Sequence, residues 1–121
     1  MLYVPAFVVS SLYMGLDISR RNNYNIIMRE LKFEWDENKN SINQRKHKIA
    51  FEEALTVFYD DEALVRDDPD HSAEEERFVI LGLSSKANLL VVCHCYRVSE
   101  TVIRIISARK ATRTESKYYR K

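Results

Sequence analysis

The chain has 121 residues, 45% of them hydrophobic and 31% charged, with 19 Lys and Arg against 18 Asp and Glu and only two Gly, two Pro and two Cys. That suits one compact domain and excludes a disordered tail. Cys93 and Cys95 stand too close along an extended strand for an ordinary disulfide, so a reducing, cytoplasmic setting is expected. The formal net charge of +1 excludes a uniformly basic binder of nucleic acid, yet residues 51–76 carry eleven acids and one base while residues 97–121 carry eight bases and two acids. Such polarity fits a chain with one surface for a polyanion and another for a basic partner.

Met1 to Gly15 is apolar and aromatic, with no basic segment ahead of it and with Asp17, Arg20 and Arg21 directly behind. It is too short to span a bilayer and lacks the charge order of a secretory signal, so no membrane partner is expected. Residues 1–30 are read as an N-terminal extension to a folded domain over residues 31–121. A reading frame running upstream of a true start at Met28 or Leu31 is favoured over an anchor or dimerisation segment.

Asp36 is a good N-cap for a helix over Glu37–His47, with an acid in the first turn and Arg45, Lys46 and His47 in the last. A second, amphipathic helix follows. In it Phe51, Ala54, Leu55 and Phe58 recur at three- and four-residue spacing, and Tyr59-Asp60-Asp61 ends it. Ala63–Arg66 reads as a short edge strand, with turn chemistry in Asp67-Asp68-Pro69-Asp70-His71. Arg77–Leu83, Leu89–Arg97 and Val102–Ser107 read as longer antiparallel strands, followed by a charged helix from about Arg109 to Tyr119. The expected fold is α+β: two N-terminal helices, a four-stranded antiparallel sheet and a C-terminal helix.

Strand alternation sorts the polar residues. Cys93, Cys95 and Arg97 share one side and His94 and Tyr96 the other; Ile103, Ile105, Ser107 and Arg109 alternate with Arg104, Ile106 and Ala108. An arginine among apolar neighbours is costly without an anion or carboxylate partner. Pairing with Glu74-Glu75-Glu76 is one resolution, and several forks converging on a phosphate is the other. Cys93-His94-Cys95 is a poor metal site because its ligands face alternately, so no metal and no cofactor are expected. His47 reads as a helix C-terminal cation or as a general acid or base, and His71 as solvated surface.

Phe33-Glu34-Trp35-Asp36-Glu37-Asn38-Lys39, then Asn43, Lys46-His47, Ile49-Ala50-Phe51-Glu52-Glu53-Ala54, Glu75-Glu76-Arg77-Phe78, Leu90–Arg97 and Ile103-Arg104-Ile105-Ile106-Ser107-Ala108-Arg109-Lys110-Ala111-Thr112 together resemble the BrnT family of bacterial toxins. The resemblance covers residues 32 to about 119 in order and spacing; Lys48 departs from it, standing where many relatives carry Gly. It implies a RelE-like ribonuclease that cuts RNA, inhibits translation and is neutralised by a BrnA-type antitoxin. Operator DNA would be reached only through that antitoxin. Metal-independent cleavage needs a base, charge stabilisation and an acid. On this reading Arg77, Arg97 and Arg109 bind the scissile phosphate, and His47 with Lys46 transfers protons. Glu76 is a base or orients an arginine, and Arg104 faces away. Hairpin pairing is expected to bring Arg97 and Arg109 together. The competing reading is a decayed, non-catalytic toxin that serves only as an antitoxin-binding module and co-repressor.

Overall fold

Asp36 fixes where the first helix starts. Its carboxylate accepts from the backbone N–H groups of Asn38 (2.8 Å) and Lys39 (3.2 Å), two donors that a first turn leaves open. In the computed structural model, which describes residues 3–6, 31–68, 76–97 and 102–119, the elements run as follows. Strands β1 (Val4–Pro5) and β2 (Lys32–Glu34) precede helix α1 (Glu37–His47), and helix α2 (Phe51–Ala54) continues into a 3₁₀ turn (Leu55–Tyr59). Strands β3 (Leu64–Asp67), β4 (Phe78–Leu83), β5 (Leu89–Arg97) and β6 (Val102–Lys110) then lead to helix α3 (Arg113–Tyr119). Among the described residues the α+β class and three-helix content agree with the sequence, but the sheet has six strands rather than four, ordered β1-β3-β4-β5-β6-β2.

Both added strands lie at the sheet's margins. β1 pairs antiparallel with β3, so β3 is flanked on both sides rather than forming an edge, and β2 lies parallel to β6 with Phe33 opposite Ile103. Neither could be seen by local pattern, because two or three residues carry no periodicity and their partners are distant in sequence.

The second helix also differs from expectation. After Ala54 it tightens into the 3₁₀ turn, where the Thr56 hydroxyl donates to the Glu53 carbonyl at 2.6 Å and accepts from the Ser85 N–H at 2.9 Å. Phe51, Ala54 and Val57, three residues apart, all become fully buried by this tighter winding. Gly82 lies beneath them. A Cβ there would meet the Val57 Cβ at 3.1 Å and the Ala63 Cβ at 3.2 Å, so glycine lets the turn settle onto β4.

One face of the sheet carries the main core: Val65, Phe78, Ile80, Leu90, Val92, His94, Ile103, Ile105 and Ala108, packed beneath Ile49, Phe51, Ala54, Val57 and Phe58. His94 is wholly buried there among the rings of Phe58 (4.8 Å), Tyr96 (5.4 Å) and Phe78 (6.1 Å). α1 contributes little apolar surface and is held by polar chemistry instead. Asn43 donates to the carbonyls of Ile49 and Ala108, both at 2.8 Å, and accepts from the Ala108 N–H at 3.1 Å. β2 covers β6 only at residues 102–104, and further along the Asn43 amide takes the place of a neighbouring strand.

Lys48 closes α1 in the left-handed conformation (φ 64°, ψ 23°), its N–H reaching the Gln44 carbonyl at 2.9 Å, so the cap that glycine would favour is kept by a lysine. α3 starts later than expected, at Arg113 rather than Arg109. Thr112 and Glu115 form a reciprocal capping box, with Thr112 N–H on the Glu115 carboxylate at 2.8 Å and Glu115 N–H on the Thr112 hydroxyl at 3.2 Å. No helix among the described residues is long and apolar enough to cross a membrane.

Candidate functional site

A bulge in β6 decides what the other face of the sheet presents. Cys93 lies opposite Ser107 and His94 opposite Ile105, which leaves Ile106 without a partner. The strict alternation expected of β6 therefore breaks. Ile103 and Ile105 face the core before the bulge and Ala108 after it, so Ser107 and Arg109 turn to the opposite face, away from the two isoleucines. β5 keeps its alternation, with Cys93 on the second face and His94 in the core, as the sequence indicates.

Pairing across the sheet aligns Arg66, Val79, Cys93 and Ser107 in one row of this second face and Leu64, Leu81, Val91 and Arg109 in the next. The leucine and valine end is apolar and is covered by α3 and by Tyr3. Tyr119 packs against it with its hydroxyl on Asp60 at 2.6 Å, and Tyr118 meets the Tyr3 ring at 5.3 Å. Beyond that cover opens a cleft of about 330 Å³ lined by Arg66, Asp68, Arg77, Val79, Val91, Cys93, Ile106, Ser107 and Arg109. Three guanidinium groups, from β3, from the residue before β4 and from β6, thus converge on one concavity.

Each is held differently. Arg66 lies over the Tyr3 ring, 5.2 Å from its centroid, a cation–π contact. Arg77 is anchored through its backbone, whose carbonyl accepts from the Asp68 N–H at 2.9 Å. Arg109 makes a two-pronged bond to Glu115, Nη1 at 2.7 Å and Nη2 at 2.8 Å, and reaches the Lys110 carbonyl at 3.2 Å. The fork raises the Arg109 pKa and, with burial opposing it, pulls the Glu115 carboxyl down to about 2, so the pair stays charged. Three of the five guanidinium N–H donors are used in these bonds.

Asp68 and Cys93 complete the polar lining. Asp68 is 8% exposed and accepts from the Cys93 thiol at 3.4 Å. Burial first, and then this bond, push the thiol up to about 12, so Cys93 is a donor here and not a thiolate nucleophile.

Of the residues singled out from sequence, Arg77 and Arg109 meet in the cleft, and Glu76 stands exposed beside Arg77. Arg97 is not brought beside Arg109. It lies opposite Val102, about 20 Å along the strand from Arg109, and meets Glu34 at 3.7 Å, while Arg104 also faces this side and donates to Glu34 at 2.9 Å. The carboxylate shared by these two arginines, Glu34, belongs to β2. Lys46, exposed, and His47, half-buried, end α1 outside the cleft lining, with His47 one turn beyond Asn43 on the same side of the helix. Glu74, Glu75 and His71, residues 7–30 and the 98–101 connection lie outside the described residues.

Sequence reasoning did not pick out Arg66, Asp68 or Ser107. A signal existed for two of them: Arg66 is the one base in an acidic stretch, and Asp68, two residues on, continues the same side of an extended strand.

A family model described as the ribonuclease toxin BrnT of type II toxin–antitoxin systems matches residues 35–115. Among solved structures, the crystal structure of the Brucella abortus ribonuclease toxin BrnT is similar over 69% of this chain and 99% of its own, at 24% sequence identity and a TM-score of 0.46. No curated protein matches.

Proposed function

Because the chain belongs to the BrnT family of ribonuclease toxins of type II toxin–antitoxin systems, we propose that the arginine-lined cleft binds the scissile phosphodiester of RNA and cleaves it without a metal ion. The observation that carries this is the convergence of Arg66, Arg77 and Arg109 on one concavity. Attack of a ribose 2′-oxygen on phosphorus builds negative charge on the phosphoryl oxygens. Preorganised guanidinium forks stabilise that charge more than they stabilise the ground state. Arg109 is the best prepared of the three, since Glu115 fixes its rotamer in advance.

His47 assists proton transfer to the departing 5′-oxygen, with Lys46 beside it adding positive charge. Asn43 supports this role: it holds Ala108, the residue before Arg109, and His47 stands one turn away on the same side of α1. Glu76 orients Arg77. Arg97 and Arg104, fixed by Glu34 on the same face, bind phosphates further along the strand. A BrnA-type antitoxin neutralises the activity, and the pair reaches operator DNA through the antitoxin.

The test is cleavage of total bacterial RNA by the purified chain with and without chelator, alongside Arg77→Ala, Arg109→Ala and Arg109→Lys. Cleavage insensitive to chelator is expected, with losses of about a hundredfold for either alanine variant. Lysine at position 109 should rescue little, because it lacks the planar fork. Full activity in both alanine variants refutes the assignment. Expression of the chain with and without a cognate antitoxin separates the two functional readings. Arrest relieved by the antitoxin supports the toxin, and stable complex formation without arrest supports the decayed module.

A further inference from the structure

Cleavage at this cleft also needs a group to accept the 2′-hydroxyl proton, and we infer that Asp68 is that group; the inference rests on the ribonuclease reading of the cleft. Asp68 is the one carboxylate among the described residues that line it, facing the space shared by Arg66, Arg77 and Arg109. It is built in rather than mobile. Its residue is 8% exposed, its backbone N–H is bonded to Arg77 across the end of the β3–β4 pair, and its Oδ2 takes a hydrogen bond from the Cys93 thiol. An ionised carboxylate is an acceptor without a proton of its own, which is what the attacking hydroxyl requires.

In the step, the O2′–P bond forms as the P–O5′ bond breaks, leaving a 2′,3′-cyclic phosphate and a 5′-hydroxyl. The 2′-hydroxyl proton passes to Asp68, and the departing O5′ receives a proton from a water molecule. Asp68 then returns its proton to the hydroxide so formed, so turnover consumes none. The Cys93 thiol is a positioning group, holding the carboxylate in one rotamer.

Asp68→Asn keeps the shape and removes the base. Its kcat on RNA should fall by about a hundredfold or more, and the acidic limb of the pH–rate profile should disappear. Binding of a fully 2′-O-methylated oligonucleotide, which cannot be cleaved, should stay within a few-fold of the unmodified chain or tighten. Asp68→Glu should keep the acidic limb at a reduced rate, which tests the proton acceptor even if the asparagine variant folds poorly. The inference is overturned if Asp68→Asn cleaves with an unchanged rate and profile, if oligonucleotide binding falls by as much as the rate does, or if Asp68→Glu matches the unmodified rate. Absence of cleavage by the unmodified chain, with or without added divalent ions, instead removes the ribonuclease reading itself.

Discussion

Asn43→Ala tests whether a side-chain amide can stand in for a strand at the margin of this sheet. Asn43 is 6% exposed and makes three hydrogen bonds, to the carbonyls of Ile49 and Ala108 at 2.8 Å and from the Ala108 N–H at 3.1 Å. A typical intramolecular hydrogen bond contributes about 1 kcal/mol net, and a buried backbone group left unpaired costs about 1–3 kcal/mol. Three lost bonds, with water entering to repair part of the damage, place the loss at about 3–5 kcal/mol. Against a total of about 5–12 kcal/mol for a folded unit of this size, that is a quarter or more of the stability. Urea unfolding followed by circular dichroism should show the midpoint falling at unchanged slope. Hydrogen exchange should show the Ala108 amide losing protection while amides in β4 keep theirs. Ile42→Ala, on the exposed side of the same helix at 45% exposure, should move stability by no more than about 0.5 kcal/mol. A loss under 1 kcal/mol for Asn43→Ala, or an Ala108 amide still protected in it, would falsify the account of how α1 is attached.

Two further outcomes follow from the core and the caps. His94 is fully buried, and desolvation pushes its pKa down to about 4 from the ordinary 6.5. The unfolded chain therefore binds the proton more readily, and stability should fall as pH drops from 6.5 to 4, by about 3 kcal/mol in all, then level off. The Glu115 carboxyl loses its contribution below 4.5, toward 2, so urea titrations between pH 7 and 5 isolate His94; a His94→Phe chain that keeps the same pH dependence in that range refutes the assignment. Lys48→Gly relieves a non-glycine residue at φ 64° and should raise stability by about 0.5–1 kcal/mol. A lower melting temperature for that variant would contradict the strain.

The parts of the fold that sequence revealed are those whose cause is local. Asp36 caps α1 with its own side chain, β4 and β5 carry long apolar runs, and the turn at Ser84–Asn88 lies between them. What stayed hidden depends on contacts far along the chain. β2 is three residues long and exists through its pairing with residues 102–104, and the change to 3₁₀ winding after Ala54 is imposed by Gly82 and Ser85 below it. The site divides the same way. Arg77 and Arg109 were legible as arginines on or beside strands, whereas Asp68 and Arg66 were counted into an acidic stretch and lost their individual meaning.

The bulge at Ile106 is the step that joins fold to site. With unbroken alternation, Arg109 would share a side with Ile103 and Ile105, and the main core would have to bury its guanidinium. One extra residue in β6 returns Ala108 to the core and sets Arg109 opposite Val91, within reach of Glu115. The near-zero net charge of the chain acquires a meaning from this arrangement. Glu115 holds Arg109, Glu34 holds Arg97 and Arg104, and Asp68 lines the cleft together with Arg66 and Arg77. A free arginine side chain loses about 2 kcal/mol of rotamer freedom when a ligand fixes it. Carboxylates that fix it beforehand exchange some long-range attraction for RNA against a pocket whose charges are already aimed at the reacting phosphate.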